Sequence, residues 1–417
     1  MDTITHGIVG ALAGKALFAG RDAPAGFDGV ESHALSSPIA RAAIVGCTLG
    51  SIFPDIDVFA GPLARNPLAI MEWHRNITHS IVMLPLWALP LAALSIPLAR
   101  LARWKAPRYW ALVGIYAAGL ATHIFLDLVT NFGTMVWSPI RYSRPAWDWV
   151  FILDLNVTAI ALVPQFAAWC YREPEKFRVR ALSIWALLTV GALAGYSAAS
   201  GAGYAFPLWV VAAVSAIFAV TIFLPSLQGA GFAWTRASWC RAGLAGLCFY
   251  IGLAAAAHHK ALADVNRFAA EQHLNVESLA ALPLPPILTH WVGLVNTPTG
   301  VWRATFQEPS GRIEGAQFYA DAQPLPLADK AVKLRDVQTY LWFARFPVWR
   351  LVPRGPDDTA IEISDVRFFR ERDPFANNDP PGSRKLPGPQ ARRAGFIFQI
   401  IFDAQGQIIS HGFKQPE

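Results

Sequence analysis

YWALVGIYAAGLATHIFLDLVT, residues 109–130, decides how this chain folds. About 20 consecutive apolar residues suffice to cross a hydrocarbon core as a helix, and residues 109–129 form such a run. Yet it carries His123 and Asp127 near its end. Ionisable groups inside a membrane segment are expensive and usually mark function. Five further runs approach the same length, at about 80–99, 149–169, 181–199, 205–225 and 241–258. Two weaker runs rich in small residues, at about 5–19 and 41–59, precede them, the second broken by Pro54. Small residues let helices approach closely, so these two are read as short elements packed inside the bundle.

Composition agrees. Only 15% of the 417 residues are charged, against about 25% in soluble domains, and charges are sparse before residue 258 and ordinary after it. The expected fold is an all-α polytopic membrane helix bundle of six to eight helices (residues 1–259), followed by a small β-rich soluble domain (residues 260–417). In that tail, a polar stretch at 260–280 with helical character leads to Pro-rich LPLPP at 282–286. The runs 301–306, 316–320, 339–346, 361–369 and 395–402 read as strands, separated by turn-formers such as 355–358 and 377–389. The four cysteines, Cys47, Cys170, Cys240 and Cys248, lie in or beside apolar runs without CxxC spacing and read as packing residues.

The formal charge of +6 does not argue for nucleic acid, because the basic residues of the apolar part sit in short loops. Arg100, Arg103, Lys105 and Arg108 crowd one loop, Arg172, Lys176, Arg178 and Arg180 another, and Arg236 and Arg241 a third. Such loops stay in the cytoplasm. The expected topology therefore puts the N-terminus and the C-terminal domain outside, with Trp137, Trp147 and Trp149 at the outer interface. The 200–204 loop has no basic residue; Arg141 and Arg144, in the loop at 130–148, run against the pattern.

This topology brings His6, Asp55 and Asp57, His74 and His79, His123 and Asp127, and Asp154 to one leaflet. His123 and Asp127 share a helix face at i,i+4, which suits either metal chelation or a simple hydrogen-bonded pair. Pro54 disfavours helix at Phe53, so Asp55 and Asp57 sit on an unwound turn where one of them could cap a helix. His74 and His79 suit a turn entering a helix, with Thr78 or Ser80 as a cap. Together, imidazoles and carboxylates are the ligand set of zinc or a similar ion, one or two in number. Three Thr-His dipeptides, at Thr5, Thr78 and Thr122, are either supporting devices or accident, since Thr289-His290 repeats the pattern in the tail.

Four motifs in order carry a resemblance: D-x-x-T-H-x-x-x-G from Asp2, G-S-x-x-P-D-x-D from Gly50, H-R-x-x-T-H-S from His74, and H-x-x-x-D-x-x-T from His123. Over about residues 1–160 the chain resembles the YdjM-like family of membrane-bound metal-dependent hydrolases, which is distantly similar to zinc-dependent phospholipase C and P1 nuclease. The resemblance implies metal ligation by His6, Asp55, His74, His79, His123 and Asp127. Asp57 and Asp154 are the expected catalytic carboxylates, and Arg75 the group that meets a substrate phosphate. The clustered-zinc enzymes add a further His and a His-x3-Glu; here that spacing occurs at His273 and Glu277, in the polar stretch beyond the last span.

The expected function is hydrolysis of a phosphoester at the outer leaflet of the inner membrane, with membrane lipid and a lipid-linked substrate as partners. A transporter or scaffold using the same groups for ion binding or helix packing is the alternative. A di-iron oxidase would need more His-rich boxes than the chain supplies, and an intramembrane zinc protease would need HExxH.

Overall fold

The computed structural model describes residues 1–18, 38–59, 68–201, 207–285, 288–321, 327–355, 358–369 and 396–414. Eight longer helices precede the sheets among these residues: α1 Thr3–Leu17, α2 Pro38–Ile52, α3 Leu84–Leu101, α4 Tyr109–Leu128, α5 Leu155–Cys170, α6 Phe177–Gly201, α7 Trp209–Phe223 and α8 Arg236–Glu271. Six helical stretches are long and apolar enough to cross a membrane, those built on α2, α3, α4, α6, α7 and α8, while α5 is shorter. The chain is a multi-pass membrane protein.

α1 begins at Asp2, whose carboxylate caps the helix by accepting from Thr5 N at 2.9 Å. Most of α1 is buried against α2 and α4, as its small residues allow. Gly10 shows why: a Cβ there would lie 2.6 Å from Cys47 O and from Ser51 Cβ. α6 and α7 instead leave Leu187, Val190, Ile217 and Val220 exposed, as lipid-facing helices do. Cys47, Cys170 and Cys240 are buried and Cys248 exposed, all as free thiols.

The chain divides into two compact units, Met1–Ile56 with Arg75–Leu253, and Asp57–His74 with Ala254–Glu417. The border expected at 259/260 therefore falls inside α8, which continues as one helix past it. In the second unit, β1 Ser278–Leu284, β2 His290–Thr297, β3 Gly300–Gln307 and β4 Arg312–Ala320 form an antiparallel sheet in chain order. β5 Pro347–Pro353, β6 Thr359–Asp365, β7 Phe398–Phe402 and β8 Ile408–Phe413 form another.

Strand alternation sends Ala281, Trp291, Val295, Ala304 and Phe306 onto Ala261, Val265 and Phe268 of α8. The opposite residues, Ala280, Leu282, Val292, Leu294 and Val301, pack on Phe346, Val348 and Val366. Pro283 within LPLPP is tolerated because β1 is an edge strand.

One expected strand is corrected. Most of 339–346 lies in helix α9, Arg335–Phe343, because Val337, Tyr340 and Phe343 recur every three residues and are all buried. The turn-formers at 377–389 and most of the 200–204 loop lie outside the described residues.

Candidate metal centre

His123 and Asp127 lie one turn apart on α4 and are both fully buried. α4 can bring them against α2 because Gly119, one turn earlier, lies so close that a Cβ would meet Cys47 O at 2.6 Å. The close approach of α1 adds His6, whose ring stacks on that of His123 with centroids 3.6 Å apart. α2 ends at Ile52, and the turn of 3-10 helix Phe53–Phe59 follows, so Asp55 sits on non-α backbone at Pro54. His79 lies in a second 3-10 turn, Ile77–His79.

These elements converge within the first unit. His79 Nε2 lies 2.9 Å from His123 Nε2, 3.2 Å from Asp127 Oδ2 and 3.6 Å from Asp55 Oδ1. His123 Nε2 lies 3.5 Å from Asp55 Oδ1 and from Asp127 Oδ2. His6 Nε2 approaches Asp127 Oδ1 at 3.1 Å. One donor atom from each of Asp55, His79, His123 and Asp127 falls within 4.8 Å of the others, and all four residues are buried.

Metal–nitrogen and metal–oxygen bonds of about 2.0–2.2 Å at the tetrahedral angle set donor atoms roughly 3.4 Å apart, inside the 2.9–3.6 Å spanned by the pairwise distances above. Asp127 Oδ2 accepts no hydrogen bond among the described residues, an expensive state for a buried carboxylate oxygen unless a cation meets it. The donor set and its spacing fit a divalent metal.

The surrounding groups orient the donors. His123 Nδ1 lies 2.6 Å from Ser51 O. A carbonyl can only accept, so Nδ1 carries the proton, and in the neutral ring Nε2 turns its lone pair to the cluster. His79 Nδ1 lies 3.0 Å from Thr78 Oγ1, and Thr3 donates to Asp55 Oδ2 at 2.6 Å. Arg75, in the left-handed region at φ 61, lies 2.9 Å from Asp127 Oδ1 and donates to Thr130 Oγ1 at 2.9 Å. The Met1 amino group also contacts Asp127.

The structure thus gathers His6, Asp55, His79, His123 and Asp127. Arg75, expected at a substrate phosphate, is turned onto Asp127. Asp57 and His74 belong to the second unit, where His74 Nδ1 lies 2.8 Å from Asp57 Oδ1. Asp154, expected as a catalytic carboxylate, caps α5 by accepting from Asn156 N at 2.8 Å and takes the Tyr250 hydroxyl at 2.8 Å. The Thr-His dipeptides have no common use: Thr5 meets Thr158 at 2.7 Å, Thr78 meets its own His79, and Thr122 donates back to Ala118 O.

Sequence reasoning missed Thr3, and took Ser51 and Thr130 only as motif positions, without the roles that the Ser51 carbonyl and the Thr130 hydroxyl have here. The small-residue spacing of Gly10 and Gly14 was the readable sign that α1 would sit close enough to matter.

Residues 1–202 match a family model described as YdjM inner membrane protein. No curated protein and no solved structure matches the chain.

Proposed function

With residues 1–202 belonging to the YdjM family of inner membrane proteins, we propose that the chain is a membrane-embedded, metal-dependent hydrolase of phosphoesters, acting on a lipid or lipid-linked substrate. The observation that carries this reading is the buried group of Asp55, His79, His123 and Asp127 with donor atoms at coordination spacing. Imidazole with carboxylate suits zinc or a similar ion.

A bound ion of this kind would lower the pKa of its water to about 7 and polarise a phosphoryl oxygen. The protein's own groups do the rest. His79, His123 and Asp127 supply three donors, the number a catalytic site uses while leaving one position open. Asp55 is the one of the four with measurable exposure, 8%, and its Oδ2 is steadied by Thr3. It is therefore the group placed to take a proton from an incoming water. Arg75 neutralises Asp127 Oδ1 from the far side and fixes that carboxylate's rotamer.

The Lys/Arg-rich loops beginning at Arg100, Arg172 and Arg236 support a cytoplasmic placement for those loops. The site and the C-terminal domain then belong on the extracytoplasmic side. The ion-carrying alternative draws on polar contacts between α1 and α5, Thr5 with Thr158 and Lys15 Nζ to Gln165 Oε1 at 2.6 Å.

Turnover separates the two. The full chain, purified in detergent, is assayed for divalent metal and for hydrolysis of short-chain phospholipids and bis(p-nitrophenyl) phosphate, beside His123→Ala. Metal-dependent cleavage by wild type and none by the variant is expected. Bound metal without cleavage of any phosphoester would favour the alternative.

A further inference from the structure

Among the described residues of the second unit, six side chains are both ionic and buried: Asp264, Arg303, Glu308, Glu362, Asp365 and Arg367. Five of them meet an opposite charge. Lys260 Nζ lies 2.8 Å from Asp264 Oδ2 and 2.9 Å from Glu308 Oε2. Glu362 is taken by Arg350 at 3.1 Å and Lys414 at 2.8 Å, and Asp365 by Arg367 at 2.8 Å. Arg303, 8% exposed, makes no ion pair, hydrogen bond or ring contact among the described residues. Arginine does not shed its proton in proteins, so its charge stays, and a buried charge without a partner is costly.

β3 sets Arg303 between Val301 and Thr305, opposite Leu294 of β2 and Gln317 of β4. Alternate residues of a strand and their cross-strand partners share a face. This is the face whose Leu294, Val301 and Tyr319 pack on Phe346 and Val348. On β3 and β4 the apolar contact ends at Val301 and Tyr319, and the positions that follow are polar. Thr305, also 8% exposed, makes no side-chain hydrogen bond among the described residues. Gln317 Oε1 accepts the Tyr319 hydroxyl at 2.9 Å, which leaves the amide NH2 as the donor end. Gly315, across from Thr305, is exposed, and a Cβ there would meet nothing within 4 Å. A guanidinium, a hydroxyl and an amide therefore share one corner of the sheet face, and that corner is open at Gly315.

We propose that Arg303, Thr305 and Gln317 form a binding site for a small oxyanion, the phosphate or carboxylate group of a solute that enters past Gly315. The guanidinium fork matches two oxygens of either group, and the hydroxyl and amide donate to what remains. The anion supplies the counter-charge that the chain does not. The site uses residues of the second unit only and draws on none of the His/Asp groups of the first.

The test measures binding and stability of the full chain in detergent micelles, in chloride buffer with EDTA at constant ionic strength. Inorganic phosphate and acetate are the probes, followed by titration calorimetry and by thermal unfolding. Wild type should bind at least one of them saturably and unfold later in its presence, and the tighter of the two identifies the group as phosphoryl or carboxyl. Arg303→Met keeps the length of the stem and removes the charge, and should weaken binding about tenfold, the scale of one charge-assisted contact. Arg312→Gln removes an exposed charge from the same sheet and should leave binding unchanged. Without either probe Arg303→Met should be at least as stable as wild type, because it removes an uncompensated charge. No saturable binding by wild type, equal affinity in Arg303→Met, or equal loss in Arg312→Gln overturns the proposal. So does a lower unfolding midpoint of Arg303→Met without the probes, which would mean that the chain itself answers the charge.

Gly315→Leu covers the case in which Arg303→Met does not fold. It keeps Arg303 and fills open space beside Thr305, so it should fold as wild type does and bind the preferred probe at least several-fold more weakly; unchanged affinity overturns the proposal.

Discussion

Asp127→Asn changes almost no volume but removes one negative charge from the middle of the cluster. Asp127 is fully buried, lies 2.9 Å from an Arg75 nitrogen and faces His6, His79 and His123 at 3.1, 3.2 and 3.5 Å. Two losses follow. Arg75, itself 1% exposed, keeps its charge and loses the Asp127 carboxylate beside it, and removing one partner of a buried pair costs about 3–5 kcal/mol. The metal loses a ligand as well. At free metal of about 100 times Kd, binding adds roughly 2.7 kcal/mol to wild type and nothing to the variant, so the stability gap must widen when metal is added and narrow in EDTA.

Asp154→Asn is the matched control, since Asp154 is also buried, at 3% exposure. Asparagine keeps an acceptor for the helix cap and for Tyr250, so the cost is about 1 kcal/mol and metal stays. The assay is metal per protein by plasma mass spectrometry, with thermal unfolding in zinc and in EDTA. Wild-type stoichiometry in Asp127→Asn, or equal loss in Asp154→Asn, would refute the reasoning.

Gly10→Ala should lower stability by about 1–3 kcal/mol and reduce metal content, because the new methyl meets Cys47 O and Ser51 Cβ at 2.6 Å and α1 must withdraw; Gly114→Ala, with nothing within 4 Å, is the tolerated control in the same thermal assay. Phe268→Ala, emptying the contact between α8 and β3, should cost about 3–5 kcal/mol and hasten proteolysis of the second unit without changing metal stoichiometry. Burial pushes the Glu308 carboxyl above its ordinary value of 4.5, against the pull of Lys260. A raised carboxyl favours the folded state while protonated, so its contribution is complete below pH 4.5 and fades as pH rises through the raised value. Unfolding midpoints of Glu308→Gln should decline less over that window than those of wild type.

The membrane part was legible because a span is limited by length and apolarity, both readable in one dimension. The tail was legible where alternation was clean, as in VWRATF within β3, and misread where aromatic content stood in for period. TYLWFARF is rich in strand-favouring residues, yet Val337, Tyr340 and Phe343 repeat every third position and Trp342 stays 42% exposed, so a helix wins. At the site, chemistry picked out the ligand types but not the grouping. Asp154 and Asp127 look alike as acids in apolar runs. What separates them is that Asp154 lies near the start of its run, immediately before helix α5, and becomes a cap, a signal that the D-L-N-V order already carried.

Whether the His/Asp group is a metal site or only a hydrogen-bonded knot turns on counting protons. A knot needs a donor on each short contact. His123 has given its Nδ1 proton to Ser51 O, so its neutral Nε2 can only accept, and His79 Nε2 stands 2.9 Å away. If His79 supplies the proton there, it has none for Asp127 Oδ2 at 3.2 Å, and that oxygen accepts no hydrogen bond among the described residues. Protonating both rings would satisfy the carboxylates but set two buried cations edge to edge, with the stacked His6 ring 3.6 Å from one of them. A single divalent cation removes the conflict. It would take the lone pairs of His79 and His123 together with Asp127 Oδ2, and leave Asp55 beside the open position to receive the proton of an incoming water.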